Sequence, residues 1–277
     1  MSISAKDVKE LREQTGAGMM DCKKALQEAD GNFDEAIGIL RKQGQKLSEK
    51  RADREANQGL IVTRVSDDGQ KAAALEINCE TDFVARNEDF QQRAQQFLDL
   101  VFENELNSVD ELLEKEVDGL PVADQVKDMV SKIGEKIEIS RVVFATTEGE
   151  YIPYIHPGNQ LGVLVEFEGS IEDKEIGRDV AMQVAAMKPI AVTQEGVDSS
   201  TVEQELEIAK EQLLNEGKSE EIAEKASQGK LRRFYEERVL LNQKFVKDNS
   251  LSVEAYLKEN KAPLVKSFHR LQLGEAS

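Results

Sequence analysis

The apolar positions divide the chain into helical and extended stretches. Ser4-Ala5-Lys6-Asp7 has capping-box character, with an acid three residues after the cap. Val8 and Leu11 continue one stripe until Gly16 and Gly18 stop that helix. Met19, Cys22, Ala25, Leu26 and Ala29 recur at helical spacing and predict a second helix as far as Asp30-Gly31-Asn32. Phe33, Ile37 and Leu40 predict a third, ending near Gly44. Three short helices form a small bundle over 1–45, marginally stable if alone. Met20 falls off the second helix's stripe and is expected to face water, either as a docking knob or as a tolerated surface residue.

From Gly59 the period changes to two. Gly59–Val65, the turn Ser66-Asp67-Asp68-Gly69 and Ala73–Ile77 predict an antiparallel hairpin. A helix follows with Phe90, Ala94, Phe97, Leu98 and Val101 on one face, then helical stretches near Val109–Glu114 and across Val126, Met129, Val130 and Ile133, closed by Gly134. Three extended runs come next, Ile137–Val143, Tyr151–Ile155 and Gly162–Phe167, and a helix carrying Ile176, Val180, Val184 and Met187. Those four repeat the spacing of Phe90, Ala94, Leu98 and Val101 from position 90 onwards, and Leu75-Glu76-Ile77 matches Val165-Glu166-Phe167. A duplicated hairpin-plus-helix unit is the simplest reading.

Beyond Pro189, Val202, Leu206, Ala209 and Leu213 form a narrow seam, and Ile222 and Ala226 begin a return helix expected to end near Gly229. Such a hairpin is either a projecting antiparallel coiled coil or a contact to a partner or second copy. A short helix at Val253–Glu259 and a strand-like run from Leu264 to Leu273, returning to a sheet already formed, complete an α+β chain. The expected units are a bundle (1–45), a linker (46–57), the first half of the core (58–135), its second half (136–198 and 230–277) and the helical hairpin (199–229).

Charge changes the picture in two places. With 36 Lys and Arg against 54 Asp and Glu, the net charge of −18 disfavours nucleic acid and anionic membranes as partners and suits basic protein surfaces. Residues 41–54 reverse the trend, with six basic and two acidic side chains and no apolar periodicity, and are read as a solvated linker rather than a nucleic-acid tail. Cys22 and Cys79 form no CxxC pair and are expected reduced, in a cytoplasmic chain without an export signal or membrane span.

Candidate chemistry is sparse. His156 and His269 are the only histidines, and no HExxH, GxSxG or Walker loop occurs. No cofactor or metal site is expected, and a hydrolase acting through His156 lacks an evident nucleophile or acid. The informative stretch is Asn78-Cys79-Glu80-Thr81-Asp82-Phe83-Val84-Ala85-Arg86-Asn87, which joins a strand to a helix. Connectors run over the surface, so Phe83 and Val84 beside Asp82 present apolar side chains to water unless the ring folds back onto its own core. The second repeat carries the polar Ser170-Ile171-Glu172-Asp173 there, so the fold does not require an apolar loop.

Two long segments carry a resemblance. Leu11-Arg12-Glu13 with Thr15-Gly16-Ala17-Gly18-Met19-Met20-Asp21-Cys22-Lys23-Lys24-Ala25-Leu26, and Asn78-Cys79-Glu80-Thr81-Asp82-Phe83-Val84-Ala85, resemble the two signatures of the bacterial elongation factor Ts family. Lys132-Ile133-Gly134-Glu135, the segment around His156, Gly162–Val165, Met187-Lys188-Pro189 and Gln243–Asp248 agree in order. The resemblance implies a guanine-nucleotide exchange factor, without bond chemistry, for the GTPase elongation factor Tu in its GDP-bound and nucleotide-free states. It implies a ubiquitin-associated-like bundle docking on the GTPase domain, with Leu11, Arg12, Met19 and Met20 at contact positions. It further implies that Thr81, Asp82, Phe83 and Val84 form a loop entering near the GTPase's Mg²⁺ and phosphates, and that Ile133, Gly134 and His156 match further interface positions. The second half of the core and the hairpin are implied to contact the partner's β-barrel domain or to support dimers of the complex. Some members continue into an extra C-terminal helix that touches the GTPase, and that contact is not expected after Leu273-Gly274-Glu275-Ala276-Ser277. A plain ubiquitin-associated-type binding module is the alternative, but it uses only residues 1–45.

Overall fold

The computed structural model describes residues 3–275. The bundle comprises α1 (Ala5–Thr15), α2 (Met19–Glu28) and α3 (Phe33–Arg51). The capping box forms as expected, Asp7 N–H donating to Ser4 Oγ at 3.2 Å and Ser4 N–H to Asp7 Oδ2 at 3.0 Å. Gly16 ends α1 in the left-handed region. Leu11, Cys22, Ala25, Leu26, Ala36 and Leu40 fill the space between the helices.

The third helix does not stop at Gly44. It runs to Arg51, so residues 45–51 are helix rather than linker. Gly44 is there because α3 lies against a later helix, and a Cβ at that position would come within 2.8 Å of Ser131 Cβ. Leu47, one turn further on, packs against the first core of the α+β region. Tertiary packing therefore overrides a local stop signal.

The chain continues through β1 (Gln58–Val65), β2 (Lys71–Cys79), the single turn α4 (Asp82–Ala85), α5 (Glu88–Asn104), α6 (Val109–Leu113), β3 (Glu116–Val117), β4 (Leu120–Pro121) and α7 (Val122–Ile133). Then come β5 (Ile137–Thr146), β6 (Glu150–Ile155), β7 (Leu161–Phe167), α8 (Lys174–Met187), α9 (Ser199–Asn215), α10 (Glu220–Arg238), β8 (Lys244–Phe245), β9 (Asp248–Ser252), α11 (Val253–Glu259) and β10 (Val265–Gln272).

Two antiparallel sheets carry the duplication, ordered β1-β2-β5 and β10-β7-β6. The third strand of the second unit is thus β10, and β5 belongs to the first sheet, contrary to the grouping by sequence neighbourhood. Each unit is a hairpin, a helix across it (α5 or α8), and a later strand returning antiparallel to the second strand of the hairpin. The correspondence extends to Glu76 and Glu166, both buried. Arg141 of β5 pairs with Glu76, while Lys266 and Ser267 of β10 hold Glu166 at 2.8 and 2.6 Å. A buried carboxylate needs such partners, and the returning strand supplies them in both copies.

Between the sheets, Ile61, Ala72 and Ala74 meet Tyr151, Leu164 and Leu271 in a shared apolar layer. The α9–α10 hairpin is longer than expected, since α10 passes through Gly229 to Arg238. Nothing lies within 4 Å of a Cβ placed at Gly229. An exposed helical glycine costs only about 1 kcal/mol relative to alanine, too little to end a helix with good neighbours.

Candidate functional site

The site is built on the connection between β2 and α5. Thr81 caps α4, accepting the Val84 N–H at 3.5 Å, and Asn87 caps α5 by accepting the Phe90 N–H at 3.2 Å. The connector, residues 80–87, is therefore a helical turn followed at once by a helix, with little freedom to drift. On that turn Phe83 is 82% exposed, the most exposed large apolar residue described. Val84 departs from expectation, since it is partly buried and packs against the first core. Successive residues on a helix point about 100° apart, so one short turn aims the ring outward and anchors itself by the next side chain.

Asp82 pairs with Arg86 at 2.9 Å on the surface. Pairs this exposed contribute about 0–1 kcal/mol, so the carboxylate is free to change partners. Below the turn the backbone is fixed from outside. Thr81 donates its N–H to Glu135 Oε2 at 3.0 Å and its hydroxyl to Oε1 at 2.7 Å. Glu80 receives Arg51 at 2.7 Å, Arg54 at 2.9 Å and the Lys136 N–H at 2.6 Å. Burial opposes the charge on Glu80, but the Lys136 amide and the two guanidinium groups outweigh it and hold its carboxyl down at about 2. Cys79 sits just beneath, its thiol pushed up to about 12 by burial and by the Glu135 carboxylate.

The other expected positions gather around this turn to different degrees. Gly134 closes α7 at φ 79°, placing the half-exposed Ile133 beside Glu135 and hence beside the base of the turn. The stem of Lys132 lies against the α1–α2 turn, where a Cβ at Gly16 would come within 2.9 Å of its Cε. Met19 and Met20 begin α2 just beyond that turn, 53% and 62% exposed. The second helix's buried stripe starts at Cys22, so Met19 faces water rather than the bundle core. Arg12 is exposed as well. Leu11 is not, because it is fully buried in the bundle core and its place there is structural.

His156 lies in the exposed turn between β6 and β7, its Nδ1 2.9 Å from the Tyr154 hydroxyl. That turn is tied to the first sheet by the Ile61 N–H, which donates to the Asn159 carbonyl at 2.7 Å. Gln160 reaches Gln58 at 3.3 Å, and Gln58 pairs with Cys79. His156 is therefore brought to the end of the sheets where the loop emerges. Arg51, Arg54 and Glu135, which fix the loop's base, carry no sequence signal for that role. Their partners lie 29, 26 and 54 positions away along the chain.

Met19, Met20, Ile133 and Phe83 are large apolar side chains left exposed, and exposed apolar side chains of this kind suit contact with another protein. The family described as "Elongation factor TS" matches residues 80–275. An Elongation factor Ts of Amoebophilus asiaticus (strain 5a2) is 46% identical over 99% of this chain and 100% of its own length. Those of Christiangramia forsetii and Hydrogenobaculum sp. are 44% and 42% identical, again over 98–99% of this chain and nearly all of theirs. The chain belongs to the elongation factor Ts family, the translation factors whose role is guanine-nucleotide exchange. Elongation factor Tu is the partner that this membership implies. Among the described residues no helix is long and apolar enough to cross a membrane.

Proposed function

We propose that the chain releases GDP from elongation factor Tu by seating its exposed apolar side chains on the GTPase and pressing the Asp82–Phe83 turn towards the Mg²⁺ and phosphates. The exposure of Phe83 beside a weakly committed Asp82, on a backbone fixed from below, is the observation that carries this reading. The bundle acts as a ubiquitin-associated-like docking unit through Arg12, Met19 and Met20, with Ile133, Gly134 and His156 at further points of contact. The α9–α10 hairpin serves as an antiparallel coiled coil towards the partner's β-barrel domain or a second copy. The factor works in the cytoplasm, needs no nucleic acid, and takes part in no bond chemistry.

Exchange requires only that the factor prefer the nucleotide-free partner to the GDP-bound one. A thousandfold faster release corresponds to roughly 4 kcal/mol. Burying one phenylalanine supplies about 1.5–3 kcal/mol. Phe83 is therefore insufficient alone, and displacement of Mg²⁺ ligands by Asp82 and anchoring by the other exposed apolar side chains must supply the remainder. Release of mant-GDP from purified elongation factor Tu tests the reading. The rate rises with factor concentration to a plateau, and an unchanged rate at every concentration refutes it.

A further inference from the structure

The end of α3 and the base of the Thr81–Phe83 turn are joined through one carboxylate. Glu80 Oε1 takes Arg51 Nη1 and the Lys136 N–H, and Oε2 takes Arg54 Nη1. Arg51 keeps this partner although its own Nε is buried without one, a cost that rotation into solvent would remove. The next residue, Thr81, is held at both its N–H and its hydroxyl by Glu135. The bonds that come from α3 and from the link between α7 and β5 end at Glu80 and Thr81, and beyond them the turn is held by its own cap, Thr81 Oγ1 accepting the Val84 N–H. Phe83, almost wholly exposed, has little packing of its own to aim it, so its direction is set by the backbone that those bonds fix.

We propose that Glu80, gripped by Arg51 and Arg54, is a positioning residue for nucleotide exchange. Through it, α3 transmits the orientation of the docked bundle to the turn that enters the partner. This rests on the wedge reading of Asp82 and Phe83. Misplacing a reacting or inserting group by about 1 Å is enough to lower a rate steeply, whereas affinity spread over a whole surface is barely changed.

The test separates maximal rate from affinity. Glu80→Gln keeps the shape and removes the charge. Arg54→Ala removes one arm whose side chain is 54% exposed, with little risk to folding. Mant-GDP release from elongation factor Tu is followed against factor concentration for both, with thermal melting alongside. The maximal rate is expected to fall about tenfold for Glu80→Gln, the scale of one lost charge-assisted hydrogen bond, while the half-saturating concentration moves less than about twofold. Arg51→Lys, which keeps the charge, is expected to recover most of the rate lost in Arg51→Ala. The chain contains no Trp, so Phe83→Trp adds a single indole to the free factor, excited selectively over the four tyrosines at the red edge of the absorption band. Its residual anisotropy is expected to drop when Glu80→Gln is added. Lowered melting temperature with an unchanged maximal rate overturns the proposal. Phe83→Ala in the same assay separates the two levels. If it is slow while Glu80→Gln is normal, positioning fails alone, and if it is as fast as the unaltered chain, the wedge fails and takes positioning with it.

Discussion

Phe83 and Val84 are neighbours on one helical turn and face different ways, the ring into solvent and the isopropyl group onto the core of the first sheet. That division separates stability from function within two residues. Val84→Ala is expected to cost about 1 kcal/mol, from two methyl groups lost at a partly buried position. Phe83→Ala is expected to leave stability within about 0.5 kcal/mol. Chemical denaturation of the two variants distinguishes them, and a larger loss for Phe83→Ala would place the ring in the core.

A similar contrast holds in the bundle. Leu11→Ala opens a cavity at a fully buried site and is expected to cost about 2–5 kcal/mol, seen as faster amide exchange across α1–α3. Met20→Ala is expected to weaken association with elongation factor Tu by about 1 kcal/mol, roughly fivefold in Kd, with little change in melting temperature. Calorimetric titration beside thermal melting checks both.

Glu76 and Arg141 form a pair with little access to solvent. Arg141→Ala leaves a buried carboxylate without its cation and is expected to cost about 3–5 kcal/mol. Lys266→Ala in the second copy is expected to cost less, because its side chain is 59% exposed and Ser267 still serves Glu166. Replacing Glu76 and Arg141 together by Leu and Met should recover much of the first loss, as measured by urea unfolding.

Acid should loosen the base of the functional turn. The Glu80 carboxyl lies at about 2 in the folded chain against an ordinary 4.5, so the unfolded chain binds the proton more readily. Its stabilisation is full above about pH 4.5 and is lost as pH falls towards about 2. Glu150 and Glu166 are lowered as well, each against the opposing effect of burial, by hydrogen bonds led by those from Lys174 and Lys266. Urea midpoints measured down this range should fall steeply, and Glu80→Gln should flatten the slope without abolishing it.

Cys79 is buried, and its thiol lies at about 12, so almost no thiolate is present near neutrality. Iodoacetamide is expected to leave Cys79 unmodified in the native chain and to modify it on unfolding, a difference read by peptide mass spectrometry.

Much of this organisation was legible in the chain. The period of two from Gly59, the matched spacing of the Phe90 and Ile176 helices, and the apolar loop at Phe83 are local patterns, and each corresponds to an element found. What was not legible depends on distant partners. Gly44 looks like a stop until Ser131 is seen against it, and β5 looks like part of the second unit until its register with β2 is known. The basic run at 41–54 has no periodicity of its own, yet Leu47 packs and Arg51 and Arg54 meet Glu80. Leu11 and Val84 fell among expected contacts because a motif marks which residues occur together, not which way each faces.

The most direct test is the plateau rate of mant-GDP release from elongation factor Tu at saturating Phe83→Ala, with the concentration for half saturation measured in parallel. A wedge predicts a plateau lowered by about tenfold or more, for roughly 1.5–3 kcal/mol of lost burial, at nearly unchanged half saturation. A plateau equal to that of the unaltered chain would contradict it.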